Sequence, residues 1–96
     1  MDILFFVSHP ESGPVLTALA RACTRQNVPW GCFLTGPGVG VLRDPDLAML
    51  VCAAPEGAIV CEHSWTRFAA GACPLPLGSQ TDSSALAARA LRIISL

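Results

Sequence analysis

The run Ile3-Leu4-Phe5-Phe6-Val7 is apolar at every position. A strand without polar alternation offers no face to water, so it belongs inside a sheet covered on both sides. The rest of the chain repeats that theme. Short apolar runs at residues 30–35, Ala58–Cys61 and 92–96 alternate with helical stretches. Residues 15–26 place Val15, Leu16, Leu19, Ala20 and Cys23 on one stripe, with Arg21 and Arg25 off it. Asn27 and Pro29 end that helix. Residues 36–40, Gly-Pro-Gly-Val-Gly, read as a loop. Asp44 as N-cap and Pro45 in the first turn start a second helix, which runs to about Ala53 and stops before Pro55 and Gly57. Residues 64–70 make one or two helical turns. Residues 73–77 form a weak fourth strand, and Pro74 and Pro76 put it at or near a sheet edge. Thr81, Asp82 and Ser83 supply caps for a helix through Ala90. Strands alternating with helices over short connections predict an α/β fold: one three-layer α/β/α domain over residues 1–96, with a mainly parallel five-stranded sheet of flavodoxin-like appearance.

Composition removes several function classes. The chain is 52% hydrophobic and carries a net charge of -1, which excludes intrinsic disorder and gives no basic footprint for nucleic acid. All six basic residues are arginine, so a phosphate-loop lysine and a Schiff-base lysine are both absent. Only 14% of residues are charged. A small domain has much surface for its volume and needs more charge than that, so part of this surface is expected to be covered by other subunits. Asp2 stands where a signal peptide would be basic, and no apolar stretch has the length of a membrane span. The expected location is cytoplasmic.

Five cysteines, an odd number with no CxxC pair, argue against a disulfide framework or a zinc ribbon. In a parallel sheet, sites form beyond the carboxyl ends of the strands. That surface holds Ser8 and His9, Thr35 and Gly36, residues 61–64, and residues 78–81. Cys61 alone combines a strand's carboxyl end with a helix start, where free backbone N–H groups favour a thiolate. His63, Arg67 and His9 are candidates to add positive charge near it, with Ser8 and Ser64 in the same pocket. Cys23 and Cys32 read as core, and Cys52 reads equally as core or surface. Cys73 begins the next strand too far away to pair with Cys61. Cys61-x-His63 lacks a second ligand pair, so no metal is expected. The glycines at residues 36–40 follow the second strand rather than the first, and read better as a turn than as a nucleotide loop. Trp30 and Trp65 read as packing or interface residues. Ser12 and Ser64 lack the context of a hydrolase nucleophile.

The order of these segments resembles the DsrE/DsrF-like family of small sulfur-relay proteins over nearly the whole length. The resemblance rests on Ile3-Leu4-Phe5-Phe6-Val7, on Cys32-Phe33-Leu34-Thr35-Gly36-Pro37-Gly38-Val39, on Ala58-Ile59-Val60-Cys61 followed by a helix, and on Ala90-Leu91-Arg92-Ile93-Ile94-Ser95-Leu96. After the cysteine, Glu62-His63-Ser64-Trp65 stands where small apolar residues are common in the family, and the chain is shorter than the relay subunits. The resemblance implies a cytoplasmic homo-trimer or homo-hexamer, or a hetero-oligomer, without a cofactor. It also implies a sulfurtransferase role, in which Cys61 carries sulfane sulfur as a persulfide between donor and acceptor proteins. That role asks for an exposed, acidified Cys61. Some family members lack the cysteine and are structural subunits, and a buried, inert Cys61 would fit that alternative. A ligand at residues 36–40 would instead favour a flavodoxin-like nucleotide-binding domain.

Overall fold

The computed structural model describes residues 1–96. Five strands form one parallel sheet: β1 (Ile3–Val7), β2 (Trp30–Leu34), β3 (Ala58–Cys61), β4 (Leu77–Gly78) and β5 (Arg92–Ser95). Their order across the sheet is β4-β3-β2-β1-β5. Four helices connect them: α1 (Gly13–Arg25), α2 (Pro45–Cys52), α3 (Glu62–Phe68) and α4 (Gln80–Arg89). The three-layer α/β architecture expected from the alternation is present, and every strand pairing is parallel.

The two sheet faces are unequal, and the strand order explains why. From β1 to β4 the chain steps one way across the sheet, and right-handed crossovers keep the connecting helices on one face. The return from β4 to β5, past β1, then puts α4 on the other. The main core lies on the first face, where Phe5, Val7, Cys32, Leu34 and Val60 meet Leu16, Ala20, Leu47 and Val51. Alternate strand residues point to the opposite face, where Leu4, Phe33 and Cys61 pack against Leu86 of α4. Helix α4 covers that face alone, so Leu91 is 81% exposed and Ile93 is 51% exposed along the β5 edge. No helix is long and apolar enough to cross a membrane.

Several boundaries differ from the sequence reading. Residues 36–40 are not an open loop. They begin a 3-10 helix, Gly36–Arg43, that buries Val39, Val41 and Leu42. A side chain at Gly38 would put its first carbon 2.5 Å from the Val7 carbonyl oxygen and 2.8 Å from Ser8 Cα. The glycine therefore lets this turn lie directly on the end of β1. Gly38→Ala is expected to cost about 1–3 kcal/mol, because the obstruction is backbone and one element must move. Urea denaturation measures that loss, and an unchanged midpoint would show that the turn shifts freely.

The fourth strand is shorter than residues 73–77 and lies at Leu77–Gly78. Pro74 and Pro76 have no N–H to give a ladder, although the Pro76 carbonyl still accepts from Val60 N–H at 2.9 Å. It is an edge strand, as its prolines require. The last helix is capped by Ser79 rather than by residues 81–83. Asp82 is the reciprocal partner, its carboxylate accepting from Ser79 N–H at 2.7 Å. Asp44 caps α2 as expected, accepting from Asp46 N–H at 3.0 Å. Asn27 takes the left-handed conformation, φ 56°, just past α1.

Candidate functional site

The carboxyl ends of β2, β3 and β4 converge on an open cavity of about 770 Å³. Thr35 and Gly36 reach it from β2, Cys61 from β3, and Gly78, Ser79 and Gln80 from β4. Helix α3 begins immediately after Cys61, earlier than the expected residue 64. That early start folds Glu62, His63 and Ser64 back over the strand end, and all three line the cavity with Arg67 and Phe68.

Ser64 organises the site. It is one of two buried polar side chains, 5% exposed. Its hydroxyl oxygen accepts from Gly36 N–H at 2.7 Å and lies 3.4 Å from the Thr35 hydroxyl. An acceptor site filled by a backbone N–H leaves the Ser64 proton free to be donated. The Cys61 thiol feels two opposing influences. Burial raises it. The Ser64 hydroxyl and N–H, the Thr35 hydroxyl and the His63 N–H lower it, and together they prevail, so Cys61 sits below the ordinary thiol value. The site therefore makes the thiolate more accessible than it is for a free thiol.

The acidity comes from hydroxyl and backbone donors. The charged neighbours Arg67 and Glu62 are not among the dominant influences, although both line the cavity. The Arg67 guanidinium instead lies 5.2 Å from the centre of the Phe68 ring. Exposure also differs from expectation. Cys61 is 6% exposed, because its side chain points to the face shared by Leu4, Phe33 and Leu86, and solvent meets it only through the cavity.

Ser8 and His9 do not line this cavity. They follow β1, and β2 stands between β1 and β3, which puts them about 10 Å away across the sheet. The Ser8 hydroxyl donates to the Leu96 carbonyl at 3.3 Å, and His9 Nδ1 lies 3.3 Å from the same oxygen. Thr35, unlike either, is among the groups that lower the Cys61 thiol. Its place on the strand-end surface was readable, but its aim toward Cys61 depends on how β2 and β3 are aligned.

The remaining cysteines are all free. Burial pushes Cys32 far above the ordinary thiol range and also raises Cys23, so both are poor nucleophiles. Cys52 is exposed, with its thiol 3.7 Å from the Pro74 carbonyl oxygen. Cys73 is half-buried. No group of three His, Cys, Asp or Glu side chains is placed to hold a metal ion.

Ser64→Ala is expected to raise the pH at which Cys61 is half ionised. Iodoacetamide alkylation near neutral pH should slow, and higher pH should recover the rate. A pH profile identical to that of the wild type would show that Ser64 has no part in setting the acidity of the thiol.

No family model, curated protein or solved structure matches this chain.

Proposed function

We propose that the protein is a DsrE/DsrF-like sulfur-relay protein, and that Cys61 carries sulfane sulfur as a persulfide. The observation that carries this reading is the thiol itself. It lies at the carboxyl end of β3, in an open cavity, with hydroxyl and backbone donors lowering its pKa. A lowered thiol holds a larger thiolate fraction near neutral pH than an unperturbed one, and the thiolate is the attacking species. The reading includes a cytoplasmic location and a homo-trimer or homo-hexamer. The exposed Leu91 and Ile93, together with a charged fraction of only 14%, support a surface that other subunits cover.

The transfer is redox-neutral. The Cys61 thiolate attacks the outer sulfur of a donor persulfide. A bond forms between the two sulfurs, and the donor's own S–S bond breaks. The donor leaves as a thiolate with that electron pair, and the outer sulfur keeps its proton. An acceptor thiolate then attacks the outer sulfur on Cys61. This second step restores the Cys61 thiolate and leaves the persulfide on the acceptor. Each sulfur–sulfur bond broken is matched by one formed, so no oxidant is needed. The Ser64 and Thr35 hydroxyls stabilise the Cys61 anion at the start and end of the cycle.

Incubation with a small-molecule persulfide, followed by intact-protein mass spectrometry, tests the reading. The expected result is the gain of one sulfur atom, lost again on addition of an acceptor thiol. The 6% exposure of Cys61 favours the alternative of a non-catalytic subunit. That alternative predicts no fast sulfur uptake and a thiol inert to alkylation in the native protein.

A further inference from the structure

A second cavity, of about 780 Å³, lies beside the first, and Arg67 and Phe68 line both. The 3-10 helix, α2, α3 and the segment after α3 enclose it. Eight of its twelve lining residues are apolar, Val39, Leu42, Trp65 and Phe68 among them, and polar groups share the surface. Its only charged lining residues are Arg43 and Arg67, and no carboxylate joins them. Neither arginine is ion-paired, since the single ion pair of the molecule is Arg89–Glu56, at 3.6 Å on the surface. The acids outnumber the bases seven to six, so two guanidiniums at one cavity that no carboxylate lines are not the result of a general excess of positive charge.

We propose that this cavity binds a small organic anion with an apolar body, such as a carboxylate or sulfonate on a hydrocarbon chain. The volume lies in the range of small-molecule sites, about 300–1,000 Å³. An apolar body would remove the cavity walls from water. A carboxylate or sulfonate would give the guanidiniums the planar, charge-assisted contact they lack. A neutral hydrocarbon would leave both guanidiniums without a counter-ion. A bare inorganic anion would leave the apolar side chains of the lining wet. The two features together select the amphipathic anion.

Trp65 supplies the readout. It lines the cavity, and its Nε1–H donates to the Gly71 carbonyl at 2.9 Å. The other tryptophan, Trp30, is 1% exposed in the core, so a ligand-dependent change in emission reports on Trp65. The wild-type protein would be titrated with octanoate, with calorimetry in parallel. Saturable binding with an emission change is expected. Octanol should bind about tenfold more weakly, or worse, because it offers no charge. Arg43→Gln and Arg67→Gln should each weaken octanoate by about tenfold, while Arg25→Gln, on the distant α1, should not. Trp65→Phe should lose the emission change and keep the heat. All three arginines are exposed, so these variants are expected to fold. Cys61→Ser should bind octanoate as the wild type does, which separates this proposal from the sulfur chemistry. Absence of saturable binding by calorimetry overturns the proposal. So does equal affinity for octanoate and octanol, or affinity unchanged in both arginine variants.

Discussion

Cys61→Ser is expected to abolish rapid sulfur loading. A serine hydroxyl is not ionised at neutral pH and forms no persulfide, so the loss should be complete rather than partial. The other four cysteines provide the comparison. Burial raises Cys23 and Cys32 and suppresses their thiolates. Cys52 is exposed and Cys73 half-buried, so slow modification at either is the competing event. The discriminating experiment follows mass against time for wild type, Cys61→Ser and Cys52→Ser. The fast single-sulfur phase should vanish in the first variant and persist in the second. Loss of the phase in Cys52→Ser alone would move the chemistry to the exposed thiol and sink the reading. Folding should survive Cys61→Ser, since serine is slightly smaller and neighbouring hydroxyls can accept its proton.

Trp30→Ala should give the largest loss of stability. Trp30 opens β2, is 1% exposed, and packs edge-on against Phe5 with ring centroids 5.8 Å apart. Its Nε1–H donates to the Thr24 hydroxyl at 3.3 Å and so ties β2 to α1. Truncation leaves a cavity in the larger core, with an expected cost of about 3–5 kcal/mol. Total stabilities of about 5–15 kcal/mol are usual for domains, so the variant should be partly unfolded or close to it. In urea the midpoint should fall with the slope retained, as expected when native stability alone changes. Trp30→Phe should recover much of the loss. A small effect of Trp30→Ala would mean that the core closes around the gap.

Chain pattern and chain folding contribute different parts of this site. The apolar run at residues 3–7 needs cover on both sides, and the helix–strand alternation demands crossovers, so a parallel layered sheet was readable from local pattern. The carboxyl-end surface followed from that topology, and the order of the elements alone put Cys61, Ser64 and Thr35 on it. The unreadable parts were those decided by close approach. Gly38 looks like part of a flexible glycine turn, yet it is held by contact with the β1 backbone. Ser8 and His9 look like neighbours of the thiol, but strand order places β2 between them. The cap of α4 moved from residues 81–83 to Ser79, because Asp82 is better used as the reciprocal partner than as the cap.

By itself, then, the sequence determined the layered sheet, the edge position of the proline-bearing strand and the single cysteine at a strand–helix junction. These are local matters of hydrophobic period, missing N–H groups and residue type. Only the tertiary structure decided that hydroxyl and backbone N–H donors surround Cys61, and that its sulfur meets solvent through a cavity. It also decided that Arg43 and Arg67 share a cavity without acidic partners. Each of these depends on which strand ends and helix starts lie side by side, and residues far apart in the chain carry no mark of that proximity.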